Sequence, residues 1–206
     1  MKRRPLLALS ALAPLTAFLP AAHAAAVGQA APDFTLMDTA GKPVKLSDFR
    51  GKHVVLEWNN PGCPFVRKHY QGNMQALQKD AASKGIVWLA INSTEDASAD
   101  YLTPPQMARW MSEQKAAATA TLMDEDGQVG RAFAARVTPH MYIVDPQGKL
   151  VYAGGIDSIA SARVDDIPKA TPYIRNAMAE IAAGKPLSVS TSRPYGCTIK
   201  YKSGAA

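Results

Sequence analysis

The chain has 206 residues, 47% of them apolar and 19% charged, with a formal net charge of +6 and two cysteines. This size and apolar content suit one α/β core and exclude an intrinsically disordered chain. Two cysteines are too few for a four-ligand zinc site or a small disulfide-stapled scaffold, which leaves one bridge or one reactive thiol.

Lys2, Arg3 and Arg4 precede an apolar stretch from Leu6 to Leu19 and the small-residue end Ala22-His23-Ala24. A basic start, a short apolar middle and an A-x-A end describe a secretory signal peptide. A membrane anchor fits less well, because the apolar part falls short of the ~20 residues that span a bilayer and the segment holds Pro14 and Pro20. Cleavage is expected after Ala24, giving a signal peptide over 1–24 and one domain over 25–206, folded from about Val27 to about Tyr201. Loss of the leader takes the 23 Lys+Arg to 20 against 17 Asp+Glu, so the mature charge is near +3 and a nucleic-acid partner loses its main support. The mature chain is expected to be periplasmic or secreted, with no stable membrane insertion, where disulfides can form.

Phe34-Thr35-Leu36 and Val44-Lys45-Leu46, around Gly41-Lys42-Pro43, read as an N-terminal hairpin, and Ser47 to Gly51 as a capped single turn. His53 to Asn59, with Val54-Val55-Leu56, reads as a strand covered on both faces. Asn59-Asn60-Pro61-Gly62 is turn chemistry, and Cys63-Pro64 opens one helix from about Phe65 to Lys84 with Val66, Tyr70, Met74 and Leu77 on its inner face. Ile86 to Ile91 is a second buried strand, and Pro104-Pro105 starts a helix turning Met107, Trp110 and Met111 inward. Thr121 to Met123 is a short strand, Val129 to Ala135 a short helix, and Met141 to Val144 a strand that turns at Asp145-Pro146-Gln147-Gly148 into Leu150-Val151-Tyr152. Tyr173 to Ala183 is the last helix, stopped by Gly184 and Pro186. This order predicts a mixed central β-sheet with helices on both faces.

Cys63 falls where a strand ends and a helix begins. Free backbone N–H groups and the positive end of the helix dipole favour a thiolate there, and Arg67, Lys68 and His69 follow within two turns. The residues themselves leave open a reactive thiol, a buried structural cysteine and half of a permanent bridge.

Val27-Gly28-Gln29-Ala30-Ala31-Pro32-Asp33-Phe34-Thr35-Leu36, then Gly41 and Leu46 to Lys52, then Trp58 to Pro64, Val137-Thr138-Pro139 and Asp145 to Lys149 resemble the redoxin group. That group comprises the alkyl hydroperoxide reductase and thiol-specific antioxidant peroxiredoxins with their thioredoxin-like relatives. The resemblance covers nearly all of the mature chain. It implies a thioredoxin fold, a redox cysteine at Cys63, and a cis-proline at Thr138-Pro139 that lies against that cysteine and presents backbone to a bound partner. Trp58, Asn60, Pro64 and Arg67 would then shape the site.

Two departures limit the transfer. Cys63-Pro64-Phe65-Val66 lacks the second cysteine of C-x-x-C, so exchange within one motif is excluded. Leu56 and Asn60 stand where peroxiredoxins carry the proline and hydroxyl of P-x-x-x-T/S-x-x-C, and Pro139 stands where their peroxide-orienting arginine aligns; Arg67 or Arg136 would have to supply the charge. Cys197 is the one internal candidate for a resolving thiol, in a Pro/Gly-marked segment mobile enough to meet an oxidised Cys63. Glu57, inside an apolar strand, is either a proton shuttle with a raised pKa or a sheet-edge acid paired with a lysine. His53, His69, His140 and Met141 invite a copper reading, but their spacing matches no paired-ligand pattern, and neither metal nor cofactor is expected.

The main expectation is a peroxiredoxin-like thiol oxidoreductase with Cys63 as nucleophile, Cys197 as resolving thiol, a peroxide or protein disulfide as substrate and an external dithiol as electron donor. Two alternatives stand beside it. One is a thiol–disulfide reductase acting on protein disulfides; the other is a non-enzymatic binding or copper-delivery domain with a structural Cys63–Cys197 bridge.

Overall fold

The computed structural model describes residues 25–203; the expected signal peptide and its cleavage point lie outside the described residues. β1 (Thr35–Asp38) and β2 (Pro43–Lys45) make the antiparallel N-terminal hairpin, and a 3-10 turn follows over Leu46–Phe49. β3 (Val54–Trp58), β4 (Val87–Asn92) and β5 (Ala120–Met123) are parallel neighbours, joined through α1 (Pro64–His69), α2 (Asn73–Ser83) and α3 (Pro104–Glu113). α4 (Gln128–Ala132) leads to β6 (Val137–Thr138), β7 (His140–Val144) and β8 (Leu150–Gly154), and α5 (Tyr173–Ala182) precedes β9 (Cys197–Thr198). Seven strands form one mixed sheet in the order β2-β1-β5-β4-β3-β7-β8, while β6 and β9 pair with each other apart from it.

Two apolar cores sit on the two faces of this sheet. Period-2 alternation along β3 sends Val55 to one face and Val54, Leu56 and Trp58 to the other. The first face is covered by Val66 of α1, Met74 and Leu77 of α2, Met107 and Met111 of α3, and Ile174 and Met178 of α5, and it contains Cys63. The second holds Phe34, Leu89, Ile91, Phe133 and Tyr142 and is covered by the N-terminal segment and α4.

Several expected elements change in detail. The single helix expected over 65–84 is two helices, broken where Gly72 takes φ +114°. Gln75 closes the break: its Oε1 accepts the Gly72 N–H at 3.0 Å and its Nε2 donates to the carbonyls of Tyr70 and Gln114. Val66, Tyr70, Met74 and Leu77 are all buried, so the inner face survives the break. Met107 and Met111 are buried as expected, whereas Trp110 is only half-buried, edge-on to Tyr70. The helix expected to reach Ala135 stops at Ala132, and Ala134 takes a positive φ of 51°. The C-terminal segment, expected to be mobile, is instead docked as β9, because its backbone finds hydrogen-bonding partners on β6.

The central strands carry the stability. Leu89 of β4 is 0% exposed, and Leu89→Ala is expected to lower the unfolding free energy by ~2–5 kcal/mol. Met37→Ala on the hairpin, where Met37 is 54% exposed, is expected to change it by no more than about 0.5 kcal/mol. Urea unfolding midpoints check both.

Candidate active site

Beyond Trp58 the chain leaves the sheet through a turn built by Asn60. Its Oδ1 accepts the Gly62 N–H at 2.7 Å, its carbonyl accepts the Cys63 N–H at 2.9 Å, and its Nδ2 donates to Thr94 Oγ1 at 3.1 Å. Cys63 then sits at the N-cap of α1 with Pro64 as the first helical residue, where a missing N–H costs nothing. Arg67 donates from Nε to the Pro61 carbonyl at 2.6 Å and so braces the same turn. The Asn60 amide and the Arg67 Nε are thus engaged with the turn and with Thr94.

Cys63 is 2% exposed, and its thiol donates to the Thr138 carbonyl at 3.1 Å. The Thr138–Pro139 peptide is cis. On the far side of β6, Thr138 pairs with Cys197 in the β6–β9 ladder. The residue before Cys197 is Gly196, at φ +136°, and a Cβ placed there would lie 1.8 Å from the Thr138 carbonyl oxygen. Glycine is required by both the backbone conformation and the close approach. The two cysteines, far apart in sequence, are therefore brought together across one peptide, and both are free thiols.

Their environments differ. Burial, then the neighbouring Cys63, then the charge of Asp100, push the Cys197 thiol up to about 12, while Lys200 opposes them. Cys197 therefore keeps its proton at neutral pH. Once the Cys63 sulfur is tied into a disulfide, the influence of Cys63 that helps hold that proton disappears.

Glu57 lies on the Cys63 side of the sheet, fully buried in β3 between β4 and β7; the expected alternative of a sheet-edge acid paired with lysine is incorrect. Trp88 Nε1 donates to its Oε2 at 2.7 Å and Tyr70 OH to its Oε1 at 2.8 Å, with Gln78 and Asn59 amides at 3.3 and 3.4 Å. Burial raises its pKa and the four donors oppose that rise without cancelling it. Tyr70, Gln78 and Trp88 were not foreseen, since nothing local marks them as partners of an acid on another element. Trp58 belongs to the opposite core: it packs on Phe133 and Tyr142 and donates to Ser93 Oγ at 2.9 Å. His140 is buried beside Pro139, held neutral by burial and by Arg136 with its pKa down at about 4, and its Nδ1 meets Tyr142 OH at 3.1 Å.

A cysteine at a strand-to-helix junction, facing a cis-proline across a mixed sheet, defines a thioredoxin-fold redoxin. The AhpC/TSA family model matches residues 27–153, and the chain belongs to that family. Among curated proteins it is 30% identical over 124 residues to the thiol-disulfide oxidoreductase ResA of Bacillus subtilis, covering 60% of this chain and 64% of that protein, somewhat under two thirds of its length. Among solved structures it is similar to an uncharacterised conserved protein from Geobacillus kaustophilus, with a TM-score of 0.75 and 30% identity over 87% of this chain and 94% of that one. The thioredoxin domain of a thiol-disulfide oxidoreductase from Bacteroides vulgatus shares the fold, with a TM-score of 0.51 and 24% identity over 70% of this chain and 96% of that one.

The Glu57 site yields a pH prediction. The native carboxyl keeps its proton to higher pH than an unfolded glutamate near 4.5, so the native state binds the extra proton between the two values and stability falls as pH rises through that window. Glu57→Gln is expected to flatten this slope while lowering stability by about 1–3 kcal/mol, because its amide N–H groups face donors. Urea midpoints from pH 4.5 upward check it, and parallel profiles for the two proteins would contradict it.

Proposed function

We propose that the protein is an exported thiol–disulfide oxidoreductase in which Cys63 is the nucleophile and Cys197 the resolving thiol. The observation that carries this reading is the Thr138 peptide, which accepts the Cys63 thiol on its carbonyl and pairs with Cys197 through its backbone. The Cys63 thiolate attacks one sulfur of a substrate disulfide, the S–S bond breaks, and the other sulfur leaves as a thiolate that takes up a proton. Cys197 then gives up its proton and attacks the Cys63 sulfur, releasing the second substrate thiol. The substrate gains two electrons, the pair becomes a Cys63–Cys197 disulfide, and an external dithiol restores both thiols.

The substrate class is a protein disulfide, supported by likeness to proteins named thiol-disulfide oxidoreductases. The Asn60 amide is spent on the turn and on Thr94 rather than offered at the sulfur, which favours exchange over a peroxide reaction that needs donors there. Trp58 and Pro64 act indirectly, Trp58 as core beneath the turn and Pro64 as the helix start. Glu57 is the buried acid on the same face that would exchange protons with the site. Export rests on the basic, apolar and A-x-A pattern of residues 1–24.

The test is insulin reduction by the mature chain, residues 25–206, with dithiothreitol as donor. Cys63→Ser is expected to fall to the rate of dithiothreitol alone. Cys197→Ser is expected to accumulate a Cys63–substrate mixed disulfide, visible by mass spectrometry under non-reducing conditions. An active Cys63→Ser variant, or a Cys63–Cys197 bridge that dithiothreitol leaves intact, contradicts the reading and favours a structural disulfide.

A further inference from the structure

Two residues before Cys197, Tyr195 turns into a buried polar cluster that the exchange steps do not use. Its hydroxyl donates to Asp157 Oδ1 at 2.5 Å and lies 3.0 Å from His69 Nε2. Asp157 Oδ2 faces Lys68 Nζ at 3.8 Å and His69 Nε2 at 3.7 Å, while Lys68 donates to the Ile159 carbonyl at 3.4 Å. Asn73 Nδ2 reaches His69 Nδ1 at 2.8 Å. Lys68, His69, Asp157 and Tyr195 are all less than a tenth exposed.

The hydrogen bonds run in one consistent direction. Burial, reinforced by Lys68, holds His69 neutral with its pKa down at about 3. The Tyr195 hydroxyl has one proton, given to Asp157, so its oxygen accepts from Nε2–H and Nδ1 is left to accept from Asn73. The Tyr195 ring packs edge-on against Phe65 at 5.8 Å, with the Lys68 ammonium 5.6 Å from its centre.

Burying four polar heads is a costly way to hold a chain segment, and apolar side chains would hold it at less cost. What the polar set adds is direction, since a hydroxyl between two fixed partners sets the rotation of its side chain as well as its depth. Lys68 and His69 lie in α1, the helix that begins at Cys63. Tyr195 is joined through Gly196 to Cys197, and Gly196 lies against the Thr138 carbonyl that receives the Cys63 thiol. One short helix therefore carries the nucleophile at its start and the anchor of the second cysteine at its end.

We propose that Tyr195 is the positioning residue for Cys197: clamped by Asp157 and His69, it sets Cys197 against Cys63 so that the second exchange step proceeds from a preformed geometry. This rests on the reading that Cys63 and Cys197 exchange in sequence. The cluster acts on closure of the Cys63–Cys197 bond and leaves the first attack, which belongs to Cys63 alone, unaffected.

The test uses 5,5′-dithiobis(2-nitrobenzoate) in excess over the reduced mature chain, residues 25–206. Attack by Cys63 releases one nitrothiobenzoate anion, and attack by Cys197 on the resulting mixed disulfide releases a second as the internal bond forms. Cys197→Ser isolates the first release. Tyr195→Phe keeps the ring and loses the hydroxyl; its first release is expected to stay within about twofold of wild type and its second to slow by roughly tenfold or more. Asp157→Asn is expected to slow the second release in the same way, and supplies the reading if Tyr195→Phe does not fold. Met178→Ala, a core truncation in α5, is expected to lower stability without slowing closure. A second release at the wild-type rate in both cluster variants, or equal slowing by Met178→Ala, overturns the proposal. If the wild type itself forms no internal bond, the sequential-exchange reading falls, and the positioning role with it.

Discussion

Thr138 offers its carbonyl to the thiol of Cys63 at 3.1 Å and its place in the β6–β9 ladder to Cys197, and the surrounding fold is arranged around that one peptide. β3 and the Asn60 turn bring Cys63 to it from the sheet. The cis bond to Pro139 leads directly from it into β7, which pairs along the whole of β3, so the two arms of the site hang from adjacent central strands. Gly196 makes the third approach possible, because any side chain there would collide with the same carbonyl.

The part of the site made of consecutive residues was readable from the chain. A buried strand, a dense turn, a cysteine and Pro64 in succession predict a thiol at a helix start, and the resemblance of Thr138-Pro139 to the redoxin cis-proline places it opposite. The break at Gly72 was harder to see, because Val66, Tyr70, Met74 and Leu77 keep one apolar face through two helices as they would through one. β6 and β9 are two residues each and carry no periodicity to detect, so the docking of Cys197 depends on a long-range pairing with no local signature. The same holds for Asp157, which meets Lys68, His69 and Tyr195 only after the chain has folded. For these residues the available sign was chemical: Lys68 and His69 follow Cys63 on one helix, and Tyr195 stands two residues before the other cysteine.

The two faces of the sheet divide the work. On the second face Tyr142 packs edge-on against Trp58 and Phe133, which are tilted to each other, and Trp58 donates to Ser93. On the first face the fold accepts two buried acids, Glu57 and Asp157, on the side that holds Cys63. Glu57 is supplied with four donors and keeps a raised pKa; Asp157 accepts the Tyr195 hydroxyl on one oxygen and faces the Lys68 ammonium at 3.8 Å with the other. Such groups weaken a core unless each is answered, and here most of the answering residues come from α1, α2 and the segment around Cys197. The buried acid of the second side, Asp124, is answered instead by Ser93 and by the N–H groups of Val129 and Gly130.

A redox titration of wild-type residues 25–206 tests the central claim, that Cys63 and Cys197 form one couple, most directly. The protein is equilibrated across a series of reduced and oxidised glutathione ratios, quenched in acid, alkylated and mapped by mass spectrometry. The account predicts one two-electron transition in which both thiols disappear together, a Cys63–Cys197 linked peptide appears, and glutathione adducts on Cys63 stay minor because Cys197 displaces them. Independent loss of the two thiols, with persistent glutathione on Cys63 and no linked peptide at any ratio, would contradict it.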